Sequence, residues 1–141
     1  MRYWVWQIKR HHSPPADIHM FVLFYDPDKN QHLAHSLGLE KGLIGVVNAF
    51  AAREFAAKNN IVIAHELLHT VGATDKYDIA TGNPLYPQGY VEPQREPLYP
   101  QEFAEIMAGA TPITESKHIM PEALAEVIIG VKTAKEINWV K

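Results

Sequence analysis

The twelve residues IVIAHELLHTVG, Ile61 to Gly72, restrict what this chain can fold into more than any other stretch. On a helical wheel Ile63, Ala64, Leu67, Leu68 and Val71 form one broad apolar face, with Val62, His65, Glu66 and His69 on the other side. A helix so apolar has to sit inside the fold. Its two histidines are then partly buried, and buried polar groups need partners. Gly72 stands where a left-handed residue would end the helix.

Strand signals come before it. Trp4, Trp6 and Ile8 alternate with more polar neighbours, and IHMFVLFYD, Ile18 to Asp26, is a near-continuous apolar run that reads as a central strand. DPDKNQ is a turn by composition, and the segment from there to Gly42 has no clear period. LIGVVNAFA, Leu43 to Ala51, is rich in β-branched residues and reads as another strand. It is either internal or an exposed sheet edge, which would align an extended peptide through backbone hydrogen bonds. Helix follows, either as AAREFAAKN broken at Asn59 and Asn60 or as one element reaching Val71.

Downstream, residues 83–101 read NPLYPQGYVEPQREPLYPQ, with PLYPQ present twice. Five prolines forbid regular structure, so this is a loop. Either it lines the cleft with Tyr86, Tyr90 and Tyr99 touching substrate, or it is a spacer shaped by its prolines. QEFAEIMAG suits one or two helical turns, and PEALAEVI opens a helix at Pro121. Thr133 and Glu136 have the spacing of a capping box for a short last helix.

Composition narrows the function. At 141 residues the chain reads as one domain, residues 1–141. A net charge of -3 without a long basic run argues against nucleic acid as a partner. With no cysteine, disulfides and thiolate metal sites are ruled out, leaving histidine and carboxylate as metal ligands. MRYWVWQIKRHH lacks the apolar length and charge order of a secretory signal, and no 18-residue apolar run occurs. The chain therefore reads as soluble and cytoplasmic, without a membrane partner.

Residues four apart on a helix lie one above the other, so His65 and His69 can present both rings to one ion. Glu66 points beside them, where it can take a proton from a water on that ion. Gly72 lets the chain swing back and bring Asp75 to the third corner, although Asp78 is near enough to compete. With 8 His and 11 Glu, H-E-x-x-H arises by chance with a probability of roughly 0.03, and the added Gly and Asp or His cut this about two hundredfold. Tyr77 is either an oxyanion donor or a packing tyrosine. His32 and His35 have the spacing of a weak second site or of a solvated face, and His11 and His12 read as surface residues.

HELLHTVGATD resembles the H-E-x-x-H-x-x-G-x-x-[HD] signature of the metzincin zinc peptidases, and DKY is similar to the Asp-x-Tyr of their snapalysin-like branch. The resemblance implies one zinc ion held by His65, His69 and Asp75, with Glu66 as general base. AEIMAG around Met107 looks like the Met-turn that this clan places beneath the metal; HIMPE at Met120 is a second candidate. Two features depart from the family: only RHHSPPAD separates the first two strands, so its long helix between them is missing or lies in sequence beyond this chain, and 31 residues lie between Asp75 and Met107.

The expectation is an α+β, zincin-like fold, a twisted mixed β-sheet packed on an active-site helix. It would be a zinc-dependent metalloendopeptidase, cleaving a peptide or protein substrate by a zinc-bound water with Glu66 as base. The alternative is a catalytically silent zinc-binding scaffold that serves as a protein-binding module. An inhibitory segment or partner protein could also silence the enzyme.

Overall fold

The computed structural model describes residues 17–141. The strand expected around Trp4 to Ile8, and the pair His11 and His12, lie outside the described residues.

Three strands form the main sheet: β1 (His19–Tyr25), β2 (Leu37–Leu39) and β3 (Ile44–Phe50). Their order is β1-β3-β2, with β1 parallel and β2 antiparallel to β3. The internal strand is thus Ile44–Phe50, and the Ile18–Asp26 run, expected at the centre, pairs along one side only among the described residues. β3 alternates as a one-sided strand should: Gly45, Val47 and Ala49 are buried and their neighbours half-buried. Thr70 of the main helix lies near Gly45, so this small-residue face is the one turned to the helix.

That helix, α1 (Ala56–Thr70), is continuous and follows a 3-10 turn at Arg53–Phe55. The two asparagines do not break it. Asn59 donates its amide to the Phe50 carbonyl at 2.9 Å and accepts the Phe50 N–H at 3.3 Å, so the side chain continues the hydrogen bonding of β3. At the other end Gly72, at φ 101°, closes a Schellman motif: Ala73 N–H reaches Leu68 O and Gly72 N–H reaches His69 O. Leu68 and Ala73 then pack together in the core, the apolar contact that accompanies this motif. The wheel is right in outline, except that Leu67 is exposed. Glu66 and Thr70 are buried because the sheet crosses their side of the helix.

The C-terminal half is built from very short elements. β4 (Ala104–Glu105) pairs in parallel with β7 (Val127–Ile128), and β5 (Thr111–Pro112) pairs antiparallel with β6 (His118–Ile119). QEFAEIMAG is therefore a strand and a turn rather than helix. PEALAEVI gives only a 3-10 turn at Leu124–Glu126 before β7. In both cases backbone pairing across the chain outweighs local helix preference. The last helix, α2 (Val131–Glu136), starts from Gly130 as N-cap, and Thr133 lies inside it, so the expected capping box does not form.

Residues 83–101 contain no helix or strand, as the prolines require. The loop packs on itself: Tyr86 and Tyr90 meet edge to face at 5.3 Å, and the Tyr90 and Tyr99 hydroxyls are 3.0 Å apart. Buried Gln101 donates to the Glu92 and Leu98 carbonyls and accepts the Glu92 N–H. The two PLYPQ copies differ in environment, since Gln88 is exposed where Gln101 is buried. A core of Leu68, Ala73, Ile106 and Met107, flanked by Val127 and Ile137, joins α1 to this half. The architecture is α+β, with a mixed sheet on one helix. No helix among the described residues is long and apolar enough to cross a membrane.

Candidate metal centre

His65 and His69 stand one turn apart on α1, and the chain reversal at Gly72 returns Asp75 to them. His65 Nε2 and His69 Nε2 are 3.1 Å apart, and each is 3.1 Å from Asp75 Oδ1. Ligand atoms at the corners of a tetrahedron with ~2.0–2.1 Å bonds are ~3.3 Å apart, so the triangle has the size such an ion needs. Among the described residues it is the one group of His, Cys, Asp and Glu side chains that can hold a metal.

The outer hydrogen bonds make the chemistry more specific. His65 Nδ1 is 2.9 Å from the Ile106 carbonyl and His69 Nδ1 is 2.8 Å from the Ala73 carbonyl. A carbonyl only accepts, so each Nδ1 carries the proton and, in a neutral ring, each Nε2 carries a lone pair. Two such lone pairs and a carboxylate oxygen converge within 3.1 Å. Only a cation can sit among three acceptors, and a His-His-Asp set with both imidazoles braced from behind can bind a divalent metal ion. Burial pushes the His65 imidazolium down, but the hydrogen bonds to Asp75 and Ile106 outweigh it and raise the pKa above the usual value.

Asp75, and not Asp78, occupies the third corner. Asp78 instead caps a surface turn, accepting from the Ala80 and Thr81 N–H groups and the Thr81 hydroxyl. Burial raises the Asp75 carboxyl pKa, but the hydrogen bonds and charges of His65 and His69 bring it below the ordinary value. Glu66 lines the same cleft as the three ligands and is 8% exposed. Its pKa is raised, chiefly by burial, with the neighbouring histidines opposing. The Tyr77 ring lies 6.5 Å from that of His65, and burial together with the Asp75 and Glu66 charges raises its phenol above the usual value. Tyr77 is fixed from outside by a bridge to Pro84.

Met107 is fully buried in the core with Leu68 and Ala73, next to Ile106, whose carbonyl braces His65. Met120 is 65% exposed and lines the cleft. Sequence reading missed the residue that builds the turn at Met107. Glu105, wholly buried, accepts the Met107 N–H at 2.6 Å and the Ala108 N–H at 3.0 Å through one oxygen. Its other oxygen takes the Gly130 N–H and the Thr133 hydroxyl. A lone glutamate two residues before a methionine carries no spacing signal, and its partners Gly130 and Thr133 lie 25 and 28 residues away.

A cleft of about 910 Å³ runs over the site, between β2 and the segment ending at Pro121. His65, Glu66, His69, Asp75 and Tyr77 all line it. β2 forms one rim: a Cβ on Gly38 would come within 2.3 Å of the Glu66 carbonyl and 2.6 Å of His69 Cβ, so strand and helix touch backbone to backbone. His35 lines the same cleft but, among the described residues, belongs to no second metal group, and Tyr86, Tyr90 and Tyr99 do not line it. The loop therefore fits the spacer reading. Compared with known proteins, the chain matches no family model, no curated protein and no solved structure.

Proposed function

We propose that this chain is a zinc-dependent metalloendopeptidase with a zincin-like fold of the metzincin kind. The observation that carries the reading is the convergence of His65 Nε2, His69 Nε2 and Asp75 Oδ1, with both imidazoles braced from behind by carbonyls, beside a buried glutamate in an open cleft. His65, His69 and Asp75 would hold the ion, and a zinc ion there supplies a Lewis acid that polarises a carbonyl and lowers the pKa of a water.

The chain's own groups do the rest. Glu66 accepts the proton of the attacking water and later delivers it to the leaving nitrogen; a carboxyl whose pKa burial raises holds the proton more readily between the two steps. Tyr77 donates its hydroxyl to the oxyanion formed on attack. β2 pairs with β3 along one side, and its other side faces the cleft, where an extended peptide can add backbone hydrogen bonds. This moves the substrate edge from Leu43–Ala51, an internal strand, to Leu37–Leu39.

Metal-loaded wild type and Glu66→Gln, incubated with a peptide library, test the proposal. The wild type is expected to cleave peptides, and Glu66→Gln to keep its metal while losing about 10²–10⁴-fold in rate. Equal cleavage by the variant would overturn the role of Glu66. Metal uptake without cleavage by the wild type would make the chain a catalytically silent scaffold.

A further inference from the structure

Building on the metal-centre reading above, we infer that helix α2 is the positioning element of that centre, acting through Thr133 and Glu136 on two of its three ligands.

At one end of α2, the Glu136 carboxylate grips both neighbours of Asp75. Oε2 accepts the Thr74 N–H at 3.0 Å and the Lys76 ammonium at 2.7 Å, and Oε1 accepts the Thr74 hydroxyl at 3.0 Å. Lys76 is 3% exposed and also donates to the Thr74 carbonyl at 2.8 Å, which closes the clamp around the Asp75 backbone. At the other end, Thr133 donates its hydroxyl to Glu105, with the Gly130 N–H beside it on the same oxygen. Glu105 fastens the turn at Met107 and Ala108, whose Ile106 carbonyl accepts the His65 Nδ1–H.

One six-residue helix therefore holds the backbone on either side of one ligand and the hydrogen-bond acceptor behind another. Its buried side chains are Thr133 and Ala134 alone, so it offers little apolar area to the core. What it contributes is directed hydrogen bonds, and those end next to metal ligands. Partners of this kind orient the ligand atoms, and losing one costs about 10–100-fold in metal affinity. Thr133 and Glu136 are positioning residues, since neither touches the ion.

Zinc affinity of the full chain, measured by competition with a chromophoric chelator, tests this in wild type, Glu136→Gln, Thr133→Val and Thr133→Ser. Each metal-free protein is also melted, and each is loaded with cobalt(II) to read ligand geometry from its visible absorption. Glu136→Gln and Thr133→Val are expected to bind zinc about 10–100-fold more weakly with an altered cobalt spectrum, and Thr133→Ser to restore both. Should Thr133→Val not fold, Glu136→Gln carries the test by itself. Wild-type affinity and spectrum in the variants that fold would overturn the inference alone. So would a loss that follows only the melting temperature, with Thr133→Ser no better than Thr133→Val. A wild-type chain that takes no zinc would overturn the metal-centre reading and this inference together.

Discussion

Asp75 and Asp78 are three residues apart and do opposite work. The first turns its carboxylate into the imidazole pair, and the second turns its own back onto Ala80 and Thr81 in a solvent-facing turn. A side chain held by nearby backbone N–H groups is fixed in its own turn rather than at the imidazole pair, which is why position alone does not choose between the two. Elemental analysis of the purified proteins is expected to find near-stoichiometric metal in wild type and in Asp78→Ala, and strong loss in Asp75→Ala. Loss in both would mean that the turn, rather than the carboxylate, carries the site. The histidines were legible in the sequence because helical spacing fixes their relation. The carbonyls of Ile106 and Ala73, which set their tautomers, were not, because any residue can offer a carbonyl.

Elements divide in the same way. β1 shows in the sequence as an apolar run, β3 by its β-branched residues and α1 by its helical period, since each is long enough to carry a signal. β2 spans three residues and β4 to β7 two each, too few for a pattern, and they exist through partners supplied from elsewhere in the chain. α2 was found, but by reasoning that gave Thr133 and Glu136 to each other rather than to Glu105 and Thr74. Its docking should depend on acid. Burial raises the Glu136 pKa, but hydrogen bonds from Lys76 and Thr74 outweigh it and lower the value below 4.5. A carboxyl whose pKa falls on folding stabilises the fold above its unfolded pKa, and that contribution fades as pH falls through the folded value. The gap in melting temperature between metal-free wild type and Glu136→Gln should be full at neutral pH and should narrow below about pH 4.5. A gap that does not change with pH would show that the charge of Glu136 contributes nothing to docking α2.

On the scale of the molecule, an ion at the three ligands would tie the helix to the chain reversal after Gly72 and, through Ile106, to the half built of short strands. Such an ion binds the folded state and lacks a formed site in the unfolded one, so it stabilises by mass action. At free zinc about a thousand times its dissociation constant this comes to ~4 kcal/mol, or about 10–15 °C in melting temperature for a chain of this size. Melting with zinc and with a chelator reads the difference directly, and coincident curves would leave the three acceptors without their cation. The proline-rich loop, packed on its own tyrosines, is tied to the chain just after Asp75 by the bridge from Pro84 to Tyr77 and by the Leu85 N–H to the Lys76 carbonyl. Gly38 is pressed between rim and floor where β2 crosses α1. The clearance there is thinner than a methyl group, so the depth of the groove is set by a single hydrogen atom, on a residue that no metal-binding pattern would single out.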